Sequence, residues 1–64
     1  MMEDTEQIGW NYVEGCITAY LRGKKTLPWI ISIINGSDTR RLEKIIESTD
    51  GISQRKDELL RSIR

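Results

Sequence analysis

The sequence predicts an all-α fold, a small bundle of three to four helices forming one domain over residues 1–64 and completed by dimerisation. Apolar residues recur at helical spacing along most of the chain, and glycines with helix-capping residues separate these stretches. A chain of 64 residues buries only about 60% of its unfolded surface. The only cysteine is Cys16, so no disulfide can form within one chain. A second chain is therefore expected to complete the core.

The first predicted helix runs from about Asp4 to Arg22, and acidic residues favour its start. Either Asp4 or Thr5 can cap it. Gly9 and Gly15 weaken this helix unless a neighbouring backbone approaches closely there, and the sequence leaves both interpretations open. Its apolar residues mark two edges, which are Ile8, Tyr12, Cys16 and Ala19 on one side, and Trp10, Ile17 and Leu21 on the other. Since one neighbouring helix cannot cover both edges, one of them is expected to meet another chain.

The edge that carries Trp10 is the predicted interface. Tryptophan and tyrosine are enriched among the residues that contribute most to protein–protein binding, although in a chain without phenylalanine they also serve as core. The predicted partner or oligomer interface consists of Trp10, Val13, Ile17, Leu21 and Trp29.

A second helix is predicted after the connector that contains Gly23. Gly23 can take the left-handed conformation that ends a helix. Thr26 can then cap the next one, with Pro28 in its first turn. The β-branched run from Trp29 to Ile34 would also suit a buried strand, but no second strand-like run follows to pair with it.

The last third of the chain allows two interpretations. In the favoured one, Ser37 or Asp38 caps a helix that ends near Ser48, and Ser53 caps a fourth helix. The inward residues would be Leu42, Ile45 and Ile46 in the third helix, and Leu59, Leu60 and Ile63 in the fourth. In the alternative, one helix of about 26 residues runs through Gly51 with heptad spacing, although a mid-helix glycine costs about 1 kcal/mol.

The sequence contains no pattern that supports catalysis, a metal site or a cofactor. It has no histidine, the usual acid–base group near neutral pH. Cys16 has apolar helical neighbours, which predict a buried, unreactive thiol. The acidic N-terminus is unlike a secretory signal, no apolar run reaches membrane-spanning length, and the unpaired cysteine suits a reducing compartment. A cytoplasmic protein that is not an enzyme and does not enter a membrane is expected.

Charge is unevenly distributed along the chain. Net charge is zero, but the first 21 residues hold four acids and no base.

A second functional interpretation comes from residues 29–47. They bear a weak likeness to a helix-turn-helix, in which residues 37–48 would be the recognition helix. Its contacts to nucleic acid would be Arg40, Arg41 and Lys44. Acidic residues interspersed among these three would repel phosphate.

The sequence therefore favours a non-enzymatic module that binds and regulates a partner protein, as a homodimer. Surplus apolar surface and missing catalytic groups support this reading, whereas the partner's identity is not encoded in any motif. The alternative is a small DNA-binding transcriptional regulator.

Overall fold

Four α-helices make up the described chain in a computed structural model, which describes the backbone of residues 2–64 and the side chains of residues 9–64. The helices are α1 (Met2–Leu21), α2 (Leu27–Ile34), α3 (Thr39–Ser48) and α4 (Ser53–Ile63). The all-α prediction is confirmed, and the alternative of one continuous C-terminal helix is wrong. The alternative of a strand at 29–34 is also wrong, because these residues belong to α2.

The sequence prediction for α1 is confirmed at its C-terminal end but not at its N-terminal end. The helix begins at Met2, so Asp4 and Thr5 lie inside it and are not its cap. At the other end Gly23 has a φ of 84°. The Gly23 and Lys24 amides donate to the carbonyls of Tyr20 and Ala19, both at 3.0 Å. This is the Schellman arrangement that a left-handed residue after a helix permits.

The later helix starts were predicted with mixed success. Thr26 is the N-cap residue of α2, though its side chain makes no capping hydrogen bond, and Pro28 lies in the first turn. At α3 the side chain of Asp38 accepts a hydrogen bond from the Arg40 amide at 3.0 Å, which settles the choice between Ser37 and Asp38. Ser53 does not cap α4, because it is the first helical residue and Ile52 precedes it as N-cap.

Residues of all four helices form the core. α2 packs along α1, α3 packs on α4, and α4 also contacts α1. The buried apolar residues are Cys16, Ile17, Tyr20, Leu21, Ile30, Ile34, Leu42, Ile45, Ile46 and Leu59. The inward faces predicted for α3 and α4 all contribute to this set or pack against it.

The α3–α4 connection fixes the end of α1 to the rest of the bundle. The Ile52 amide donates to the Leu21 carbonyl at 2.9 Å. A Cβ on Gly51 would lie 2.5 Å from the Cβ of Leu21, so only glycine allows this approach. Arg55 adds hydrogen bonds to the carbonyls of Tyr20 and Lys25 at 3.1 and 2.8 Å. The Ile52 amide thus satisfies a carbonyl that the end of α1 leaves without a helical partner, and Arg55 joins α4 to the end of α1 and to the connector after it.

Candidate interaction surfaces

The predicted interface along the Trp10 edge is partly internal to the chain. Ile17 and Leu21 are 0% exposed, so neither side chain is accessible on the single folded chain, and the five-residue interface stays a prediction. They are buried because α1 turns this edge towards the other helices. Trp10, Val13 and Trp29 are half-buried and pack against the same core.

Cations of the chain itself lie over both tryptophan rings. The Arg41 guanidinium is 4.5 Å from the centre of the Trp10 ring. The Lys25 ammonium is 5.2 Å from the centre of the Trp29 ring. Such contacts stabilise by about 0.5–1 kcal/mol at exposed sites. They cover part of the ring surface that a partner would need.

The three basic residues predicted to contact nucleic acid have different surroundings in the structure. Arg40 and Lys44 are exposed and one turn apart on α3, whereas Arg41 is directed to Trp10. On the same helix Glu43 accepts a hydrogen bond from Arg64 at 3.4 Å. α2 and α3 follow each other as two short helices joined by a turn, which is the order of elements in a helix-turn-helix.

The opposite side of α1 is the exposed one. Tyr12 is 63% exposed, and it is a large hydrophobic residue. Gly15 follows three residues later and is also exposed, and Ala19 is half-exposed. Apart from the backbone of α1 itself, no heavy atom of the described chain lies within 4 Å of a Cβ placed on Gly9 or Gly15, so no other part of the described chain approaches the helix closely at either glycine. We call Tyr12, Gly15 and Ala19 the outer face of α1.

The sequence contained a signal for this outer face. Spacings of three and then four residues are those of a helix seam that packs on another helix. Ile8 continues the spacing towards the N-terminus, although its side chain lies outside the described residues. The edge predicted from the sequence shares Tyr12 and Ala19 with this outer face but includes Cys16, which is buried, and it was not the edge predicted as the interface.

A shallow groove of about 330 Å³ lies between the end of α2, the start of α3 and the end of α4. Apolar side chains of Ile31, Ile34, Leu42 and Ile63 line it, together with the polar residues Asn35, Ser37, Thr39 and Ser62. The volume is at the lower limit for small-molecule sites, at about 300 Å³. No titratable side chain is among its lining residues.

Two tyrosines have perturbed hydroxyl groups. Hydrogen bonding to Cys16, with the charge of that thiol when ionised, raises the pKa of Tyr12. Burial raises the pKa of Tyr20, and the neighbouring Glu58 carboxylate raises it further, while Arg55 acts in the opposite direction. Cys16 itself is a buried free thiol. Among the residues whose side chains are described, no group of three or more acids or cysteines could hold a metal ion.

No protein-family model, curated protein or solved structure matches this chain. Among the described residues, no helix is both long enough and apolar enough to cross a membrane.

Proposed function

We propose that the protein is a non-enzymatic helical interaction module of the cytoplasm that binds and regulates a partner protein and works as a homodimer. The observation that supports this most directly is that α1 has one buried side and one exposed side. One side supplies four buried residues to the core, Cys16, Ile17, Tyr20 and Leu21. The other side carries the exposed outer face.

An exposed tyrosine on a long helix has a physical cost that an interface would remove. Withdrawing apolar surface from water stabilises the bound state by about 25 cal/mol for each Å². Tyrosine also combines a large apolar ring with a polar tip, which suits a surface that is wet when free and covered when bound. α1 has 20 residues and is about 30 Å long, so it offers one continuous surface.

The test is the mass of the purified chain combined with capture by a matched pair of baits. Sedimentation should give twice the chain mass of 7.4 kDa at high concentration. Wild-type protein should capture a partner from its native host. A Tyr12→Glu bait, which cannot form the dimer, should retain that partner poorly, while a Glu14→Gln bait behaves as wild type. A mass of one chain at all concentrations, with no difference between baits, would contradict the proposal.

A DNA-binding regulator that uses residues 37–48 is the second candidate. The observation in its favour is that Arg40 and Lys44 are exposed on one side of α3, directly after a turn that follows α2. The double variant Arg40→Glu/Lys44→Glu tests it without disturbing the contact between Arg41 and Trp10. DNA binding that falls with salt, and that this variant loses, would favour this candidate.

A further inference from the structure

We infer that the outer face of α1 pairs with the outer face of a second copy in antiparallel orientation, with Tyr12 of each copy packed over Gly15 of the other. This inference rests on the proposed homodimer and specifies its surface, orientation and register. It replaces the Trp10 edge as the site of self-association.

The space for such a pairing is present at Gly15. Gly15 is exposed, and a Cβ built there meets no heavy atom within 4 Å. Glycine lets a second helix come close, and a tyrosine side chain can fill the gap that the missing side chain leaves. Tyr12, which is 63% exposed, is one turn away on the same face.

Size complementarity selects the register. When Tyr12 faces Gly15 of the second copy, a two-fold axis passes between residues 13 and 14 of the two helices. Each contact then occurs twice, as a closed symmetric dimer requires. The same register places Ala19 opposite position 8, which is isoleucine in the sequence. A large residue thus meets a small one at both levels of the interface.

Charge selects the antiparallel direction and a second copy as the occupant. By sequence, the first 21 residues carry Glu3, Asp4, Glu6 and Glu14 and no base. The other end of α1 leads into Arg22, Lys24 and Lys25, all exposed. Antiparallel pairing brings the acidic start of one helix beside the basic end of the other, and antiparallel helix dipoles also attract. Parallel pairing would place acids beside acids.

The expected affinity is modest. The outer face belongs to a single helix, so it buries less than the roughly 800 Å² per partner of a standard interface. A dissociation constant in the micromolar range is therefore expected. Because part of the attraction is between exposed charges, this dissociation constant should rise with ionic strength.

The first test compares two glycines on the same helix. Gly15→Leu should raise the dimer dissociation constant at least about tenfold, because overpacking at this contact costs more than 1.4 kcal/mol. Gly9→Leu is the matched control. Gly9 is exposed with the same open space but lies about 120° away around the helix, so its dissociation constant should stay within about threefold of wild type.

A compensating variant tests the register. Tyr12→Ala/Gly15→Leu moves the bulk from position 12 to position 15, so in the antiparallel register a large residue again faces a small one. It should recover most of the affinity that Gly15→Leu loses. A parallel dimer would gain nothing, since position 15 would face itself. Sedimentation equilibrium measures all four proteins, and circular dichroism confirms that each is folded.

Cysteine cross-linking gives an independent measurement in a Cys16→Ala background. Oxidation of an equimolar mixture of Ile8→Cys and Ala19→Cys proteins should yield the mixed dimer, while Ala19→Cys alone should remain uncross-linked. Efficient cross-linking of Ala19→Cys with itself would overturn the antiparallel assignment.

The two proposals fail in different ways. A wild-type chain that stays monomeric at millimolar concentration contradicts both the homodimer and this inference. A wild-type dimer that Gly15→Leu strengthens or leaves unchanged contradicts the inference alone.

Discussion

Gly51→Ala should destabilise the fold, although the residue is exposed and lies between helices. The added Cβ would lie 2.5 Å from the Cβ of Leu21 and 3.0 Å from its carbonyl oxygen. Leu21 is fully buried, so it cannot move away, and the connection must shift outwards. That shift weakens the hydrogen bond from the Ile52 amide to Leu21, now 2.9 Å.

The magnitude follows from three contributions. Overpacking typically costs about 1–3 kcal/mol, and a weakened hydrogen bond costs about 0.5–1.5 kcal/mol. Alanine restricts the unfolded chain, which returns about 0.4–1 kcal/mol. The expected net loss is about 2 kcal/mol of unfolding free energy. At about 4–8 °C per kcal/mol for a domain of this size, the Tm should fall by roughly 10 °C.

Urea denaturation followed by circular dichroism measures this loss, at protein concentrations low enough to keep the chain monomeric. Gly9→Ala is the control, because the added Cβ there meets nothing within 4 Å and alanine favours a helix by about 0.5–1 kcal/mol. The two glycine-to-alanine changes should therefore have opposite signs. Equal or increased stability of Gly51→Ala would refute the close packing of this connection on Leu21.

Three further outcomes are expected. Trp10→Ala should lower the unfolding free energy by about 2 kcal/mol, because removing the half-buried ring removes its packing and its contact with Arg41. The dimer dissociation constant, compared under conditions where the same fraction of each protein is folded, should stay unchanged. Arg55→Ala should cost about 1–2 kcal/mol in urea melts through two lost hydrogen bonds, with Arg55→Lys intermediate. Because the pKa of Tyr20 is raised in the folded chain, its contribution to stability should be complete below about pH 10 and be lost above it, where the unfolded side chain ionises first. Tyr20→Phe should reduce that pH dependence in alkaline melts.

The helices and most of their limits were predictable because local physics determines them. The left-handed Gly23, Pro28 in the first turn of α2, and the Asp38 cap are each explained by a few neighbouring residues. The break between α3 and α4 also has a local component, since Gly51 disfavours a continuous helix. Its second cause is not local, because the connection must approach Leu21, 30 residues earlier in the chain, within a distance that only glycine allows.

What the sequence by itself determined was the helical class and the end of α1 at Gly23. It favoured a break between α3 and α4 over one continuous helix, and it predicted two apolar edges on α1. Only the tertiary structure decided which side of α1 is buried. The reason is physical: both edges have helical periodicity, and the choice depends on how three short helices pack together. That packing places Ile17 and Leu21 in the core and leaves Tyr12 exposed. Tyr12, rather than the larger ring of Trp10, is therefore the aromatic side chain that the packing of the helices leaves exposed to solvent.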